Sequence, residues 1–285
     1  MRNTVKIDEN PKGSLHFIYD TMFGRCILKM LTLPVISKIV GAFMNSKLSI
    51  PMIKKFILKN NINMSEFEDV KYASYNEFFT RKILPEKRLI ASTSHEFISP
   101  CDSKLTAYKI DENSAFKIKG SMYSVSDLLQ NSELASSYIG GTLLIFRLSV
   151  DDYHRYCYID DGYQDKNTYI KGVLHTVQSV ALKRYNIYRE NCREYTVLHT
   201  KHFGNIVQVE VGALLVGKIK NLHENYTFKK GEEKGYFEFG GSTICLIVPN
   251  NITIDTEIWN NTNVGLETCV KYGERIGRKD ENTNI

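Results

Sequence analysis

The sequence contains no Cys-x-x-Cys pair. Its six cysteines, Cys26, Cys101, Cys157, Cys192, Cys245 and Cys269, are scattered along 285 residues. That spacing argues against a disulfide framework or a zinc knuckle and fits reduced thiols in a cytosolic setting. The glycine-rich phosphate loops are also missing, so nucleotide binding has little support. No His-Glu-x-x-His metalloprotease motif occurs, and no Gly-x-Ser-x-Gly nucleophile elbow. No RNP, zinc-finger or helix-turn-helix signature is present either. Thirty-seven Lys and Arg against 32 Asp and Glu give a net charge of only +5. This mild excess favours an anionic surface without marking a nucleic-acid binder. The longest apolar stretch, residues 26–44, is interrupted by Lys29, Pro34 and Lys38, so it makes a poor membrane span. The first apolar segment lacks a small-residue cleavage site, and no secretory leader is expected.

What is present divides in two. Residues 15–59 carry helical spacing: Leu15, Ile18 and Met22 share one face, and Val35, Ile36, Ile39, Val40 and Phe43 repeat the pattern. Lys29, Lys38, Lys54, Lys55 and Lys59 surround these faces. Basic amphipathic helices of this kind either pack on the body or lie on an anionic bilayer. Two capping boxes follow, Ser65 with Glu68 and Ser74 with Glu77, each predicting a short helix. From about residue 98 the pattern turns to strands. "GTLLIFRLS" (141–149), "NIVQVEVGALLVGKI" (205–219) and "STICLIVPNN" (242–251) are apolar runs bounded by turn residues. Val207, Val209 and Val211 face one way and Gln208 and Glu210 the other, and Gly212 and Gly217 mark a bend or bulge. Seventeen Tyr and fourteen Phe against one Trp fit strands with aromatic faces. There is no internal repeat, and the polar end "GRKDENTNI" reads as frayed. The expected fold class is α+β: a mainly antiparallel β body, sandwich- or barrel-like, behind an N-terminal helical membrane-associating region. The expected division is 1–65 for the helical region and 66–285 for the β-rich catalytic domain.

Several short stretches could carry chemistry. "SVDDYHRYC" (149–157) places His154 beside two acids at the end of an apolar strand. Imidazole titrates near neutrality and a carboxylate can orient it, so His154 is a general-base candidate. "SPCDSKLTAY" (99–108) offers Asp102, which alone reads as a turn residue. His199 and His202 sit at a strand-to-turn segment and read as surface histidines before they read as a metal pair. "YFEFGGSTI" (236–244) sets two glycines before Ser242 and Thr243, which is either a turn between strands or a bond meant to be broken.

Taken together, "YNEFFTRK" (75–82), "SPCDSKL" (99–105), "FRLSVDDYHRY" (146–156), "VEVGALLVGKI" (209–219) and "KKGEEKGYFEFGGSTICL" (229–246) resemble the phosphatidylserine decarboxylases in order and spacing. The resemblance implies a proenzyme that cuts itself at Gly241–Ser242 into a β chain, 1–241, and an α chain, 242–285. Ser242 would become a pyruvoyl group, which would form a Schiff base with phosphatidylserine and release phosphatidylethanolamine. Neither pyridoxal phosphate nor a metal is then needed. The family's Asp-His-Ser relay falls on Asp102, His154 and Ser242, with Thr243 near the oxyanion. Two departures stand out: Cys157 where a second histidine is common, and Ser103 where glycine is usual. Cys157 is a poorer base than imidazole, which leaves His175 in reserve. Arg81, Lys82 and Arg155 are candidates for the lipid phosphate. The implied location is the cytoplasmic face of the cell membrane, peripherally bound, with phosphatidylserine in an anionic membrane as partner and a homodimer left open. Two rivals remain: a pyruvoyl decarboxylase of a soluble amino acid, and a lipid-binding β module that never cleaves.

Overall fold

The computed structural model describes residues 1–6, 21, 34–113, 115–118, 121–172, 191–212, 218–240 and 242–279. Leu15, Ile18, Met22, His175, Gly217 and Gly241 lie outside the described residues.

Apolar, β-branched strands build a ten-stranded sheet in which every pairing is antiparallel. Ser242–Val248 runs through its middle, between Thr142–Leu148 and Gly204–Gly212. All seven of its residues are buried, as expected of a strand covered on both faces. Among the described strands the sheet is an open path, with Thr4–Lys6 at one end and Tyr226–Phe228 at the other.

One face of the sheet packs Leu144, Phe146, Ile244 and Leu246 against Phe97, Ile98, Tyr156, Phe237 and Ile276 from two three-stranded sheets. The other face packs Val207, Val209, Val211 and Cys245 against Val125, Leu128 and Leu129 of a short helix. The predicted alternation of Val207–Val211 is therefore observed, but its polar side does not meet water. Gln208 and Glu210 are fully buried. Lys234 Nζ donates to Glu210 at 2.9 Å and to Asn221 at 2.6 Å, and Gln208 donates to Glu210 at 2.9 Å. A buried charge needs such partners.

Within the predicted 15–59 helical stretch, helices form at Pro34–Met44 and Pro51–Asn60. Met44, Val40, Ile53, Phe56 and Ile57 turn onto Tyr75, Phe78 and Phe79. No helix among the described residues is long and apolar enough to cross a membrane. The Ser74 cap is present: its hydroxyl accepts the Glu77 amide at 3.2 Å and starts helix Tyr75–Phe79. The Ser65 cap is not. A single 3-10 turn, Met64–Glu66, forms there, and Asn63 caps it by accepting from the Ser65 amide.

Candidate active site

Strand pairing gathers the candidates at one end of the sheet. Ser242 opens its strand opposite Leu148. The Leu148 strand then runs into the 149–154 segment that carries His154. On its far side Lys104 pairs with Arg147, so Asp102, just before that strand, lies two strands from Ser242, roughly 10 Å at ordinary strand spacing. Gly212, opposite Ser242 on the other flank, has no side chain to crowd the hydroxyl. Ser242 is fully buried, and its Oγ has no hydrogen-bond partner among the described residues. Thr243 Oγ1 is also unpartnered, but strand alternation turns it to the opposite face, packed with Val211 and Cys245 rather than beside Ser242.

His154 is fully buried. Its Nδ1 lies 2.9 Å from the Asp152 carbonyl oxygen. A carbonyl only accepts, so Nδ1 carries the hydrogen and Nε2 keeps its lone pair. Nε2 has no partner. The ring is thus oriented by a backbone carbonyl. The flanking carboxylate of Asp152 instead accepts from Lys104 Nζ at 2.6 and 2.7 Å. Burial pushes the imidazole pKa down to about 3, with Arg81 and Lys104 adding to it and the Asp152 and Gly240 carbonyls opposing.

Asp102 is held elsewhere. Arg88 donates to it from Nε at 2.9 Å and Nη2 at 2.6 Å, Lys271 from Nζ at 3.3 Å and Tyr272 from its amide at 2.8 Å. Burial would raise this carboxyl, but the Arg88 guanidinium and Lys271 outweigh it and keep the pKa below the usual range. With four donors on its two oxygens, Asp102 makes no hydrogen bond to His154.

The segment before the Gly-Ser pair is fastened residue by residue. The Phe237 amide donates to the His154 carbonyl at 2.9 Å, Glu238 to the Lys218 carbonyl at 3.0 Å, and Phe239 to Asn76 Oδ1 at 2.9 Å. Phe239 packs edge-on against Tyr75 and Phe79 at 5.1 and 5.3 Å between ring centroids. Phe79 also lies 4.2 Å from the His154 ring. Gly240 then takes a φ of 144°, a region that side chains disfavour and glycine tolerates. The short helix thus touches both the His154 ring and the loop that leads to Ser242. Sequence reading placed this helix by its cap but missed Asn76 and Phe79, whose partners lie far along the chain, and Arg88, whose pairing with Asp102 no motif marks.

The remaining candidates separate by environment. Arg81 is 3 % exposed, with its guanidinium over the Phe67 and Phe78 rings at 4.2 and 4.8 Å. The aromatic faces and burial hold it inside, away from the surface where a lipid phosphate would be met. Arg155 donates to Glu233 and to the Thr80 carbonyl, while Lys82 is exposed. Cys157 is buried with its thiol pushed up to about 12 by burial, so it does not stand in for a histidine. His199 and His202 each pair with an aspartate, Asp165 at 2.8 Å and Asp160 at 2.9 Å. Among the described residues no group of three or more His, Cys, Asp or Glu is placed to hold a metal ion.

Comparison with known proteins follows the same residues. The family profile described as phosphatidylserine decarboxylase matches residues 75–278. Phosphatidylserine decarboxylase proenzyme 2 of Clostridium acetobutylicum is 50% identical over 271 residues, covering 94% of this chain and 93% of that protein. The phosphatidylserine decarboxylase proenzyme of Clostridium novyi is 42% identical over 272 residues, 93% of this chain and 92% of that one. That of Ruminiclostridium cellulolyticum is 41% identical over 270 residues, 92% and 90% respectively. The matched span starts at the helix that clamps the loop and runs through Asp102, His154 and Ser242, and on that evidence the chain belongs to the phosphatidylserine decarboxylase family.

Proposed function

We propose that this chain is a proenzyme that cuts its own Gly241–Ser242 bond and then decarboxylates phosphatidylserine to phosphatidylethanolamine. The observation that carries this reading is a pair of buried atoms without a hydrogen-bond partner among the described residues: Ser242 Oγ and His154 Nε2. A buried hydroxyl without a partner is costly, and a neutral imidazole with a free lone pair is the group that can take its proton.

In the first step Ser242 Oγ attacks the Gly241 carbonyl carbon. The new C–O bond replaces the C–N bond, and His154 carries the proton from Oγ to the leaving nitrogen. Loss of the Ser242 α-proton then breaks its Cβ–Oγ bond, freeing the Gly241 carboxylate and leaving dehydroalanine. Water replaces the nitrogen, ammonia leaves, and a pyruvoyl group remains at the start of chain 242–285. The residues present fit that group: a buried strand-initial serine beside Gly212, preceded by glycines. Once formed, its ketone supplies an electron sink for an amine-bearing substrate that loses carbon dioxide. His154 then holds or returns a proton at the same strand end. Asp102 completes the relay when it exchanges one of its donors for the imidazole. Lys271 is the readiest to be given up, at 3.3 Å and with a side chain 60% exposed. Gly241 and His175 keep their proposed roles as scissile residue and reserve base. Lys82 is the open candidate for the lipid phosphate, since Arg155 is paired and Arg81 buried.

The helices at 34–60 support binding at the cytoplasmic face of an anionic membrane. Ile39, Phe43, Leu48 and Leu58 are exposed, and Lys47, Lys54, Lys55 and Lys59 are exposed beside them. Intact-mass measurement of freshly folded protein tests the reading. Two chains split at Gly241–Ser242, the shorter beginning with pyruvoyl, are expected, and one chain is expected for Ser242→Ala. Cleavage in Ser242→Ala would sink the assignment. Turnover of phosphatidylserine vesicles but not of free serine separates this activity from that of a soluble amino acid decarboxylase.

A further inference from the structure

We infer that Asn76 is a positioning residue for self-cleavage, fixing the loop that presents the Gly241 carbonyl to Ser242. The inference rests on the cleavage reading above and adds to it a residue that touches no reacting atom.

Attack by Ser242 requires both sides of the scissile bond to be held. The strand Ser242–Val248 holds the far side. On the near side three successive amides are anchored, and two of their acceptors are backbone carbonyls, of His154 and Lys218. The third, nearest the glycines, is the side chain of Asn76. Asn76 is buried, with 7% of its surface exposed.

The orientation of its amide follows from its partners. The Phe239 N–H can only donate, so Oδ1 faces it and Nδ2 points away. Nδ2 donates to Asn45 Oδ1 at 3.0 Å, and Asn45 Nδ2 donates in turn to the Gly41 carbonyl at 2.9 Å. Donors and acceptors alternate along the whole chain, with no step reversible. Asn76 thus ties the loop to the end of helix Pro34–Met44. Beyond Phe239 lie only glycines, which cannot hold a geometry by themselves. Without this anchor, the chain next to the glycines is held only by the Phe239 ring on Tyr75 and Phe79 and by the two amides before it. A misplacement of about 1 Å at a reacting pair costs roughly 100-fold in rate.

The test is single-turnover self-cleavage of the refolded full-length chain, followed on gels. Asn76→Leu keeps the branched four-atom side chain, in a bulkier form, and loses the acceptor; Asn76→Asp keeps an acceptor toward Phe239, and the exposed Asn45 can turn its amide away from the second oxygen. Cleavage is expected to slow roughly 10- to 100-fold in Asn76→Leu and to stay within severalfold of wild type in Asn76→Asp. Decarboxylation per pyruvoyl group, once formed, is expected to match wild type in both. Wild-type cleavage in Asn76→Leu, or equal slowing in the two variants, overturns the proposal. So does a loss in Asn76→Leu that falls equally on cleavage and on turnover, which marks a merely structural role. If Asn76→Leu does not fold, hydrogen exchange at the Phe239 amide decides, measured in uncleaved Ser242→Ala chains. Protection is expected to persist with Asn76→Asp and to vanish with Asn76→Ser, which cannot reach; unchanged protection in Asn76→Ser overturns the contact. A wild-type chain that never cleaves overturns the parent reading instead, and this one with it.

Discussion

At the scale of residues, the proposed mechanism makes the protonation state of His154 decide when the serine can be activated, because a protonated imidazole accepts nothing. A free imidazole titrates near pH 6.5, so a solvated base would lose half its activity there. Burial lowers the pKa of His154 to about 3, which keeps it neutral well into acid. The self-cleavage rate is therefore expected to stay level from about pH 8 to about pH 5 and to fall only below. A rate already halved near pH 6.5 would show a hydrated imidazole. The same shift bears on stability. Below about pH 6.5 the unfolded chain takes up a proton at His154 that the folded chain refuses until about pH 3. This histidine thus withdraws stability as pH falls through that window, which urea midpoints at several pH values would register. Cys157 gives the complementary case. Its thiol is pushed up to about 12 and its Sγ lies 4.0 Å from the Ser99 carbonyl oxygen. Cys157→Ala is expected to leave the cleavage rate unchanged and to cost about 1 kcal/mol of stability as a small cavity. A tenfold slower cleavage at equal stability would restore the thiol as a participant.

At the scale of elements, helix Tyr75–Phe79 has five residues, far below the roughly 12 that an isolated helix needs to persist in water. Its stability comes from its ends and from packing. Ser74 accepts the Glu77 amide, the Tyr75 amide donates to Ser49 Oγ at 2.8 Å, and Phe78 and Phe79 are wholly buried. Ser74→Ala is expected to cost about 1 kcal/mol and to slow cleavage as well, since the helix carries Phe79 and Asn76. A denaturant midpoint that moves while cleavage does not would separate the helix from the reaction. The cap was legible from a serine and a glutamate three residues apart, and the strands at 142–148 and 242–248 from their apolar, β-branched runs. What the helix touches was not, because Asn76 meets Phe239 at a separation of 163 residues. Periodicity reports which face of an element is covered, not which element covers it. Glu210 shows the same limit: alternation set it opposite the valines, as observed, and only the small sheet carrying Lys234 shows that this side is also buried. The resemblance named Asp102 and His154 together, yet the competition of Arg88 and Lys271 for that carboxylate is a three-dimensional fact.

At the scale of the whole molecule, the helices at 34–60 have two loyalties. Their inner side chains, Met44, Val40, Phe56 and Ile57, pack on the clamp helix, and Asn45 and Ser49 bond to it directly. Their outer side chains, Ile39 at 61%, Leu48 at 77% and Leu58 at 68% exposed, are left for another surface. Removing residues 1–59 would therefore destroy both sides at once, and a loss of vesicle binding could not be told from a loss of the clamp. Replacing Ile39, Phe43, Leu48 and Leu58 together by serine touches only the outer set. Burying one such side chain is worth about 1.5–3 kcal/mol at full depth, so even partial insertion of four makes a drop of at least tenfold in sedimentation with phosphatidylserine vesicles the expected outcome. The exposed lysines add an attraction that weakens as salt is raised. Self-cleavage is expected to proceed at the wild-type rate, because the inner contacts remain. Unchanged sedimentation would remove these helices as the membrane contact. Lost cleavage would mean instead that the outer face, too, supports the clamp.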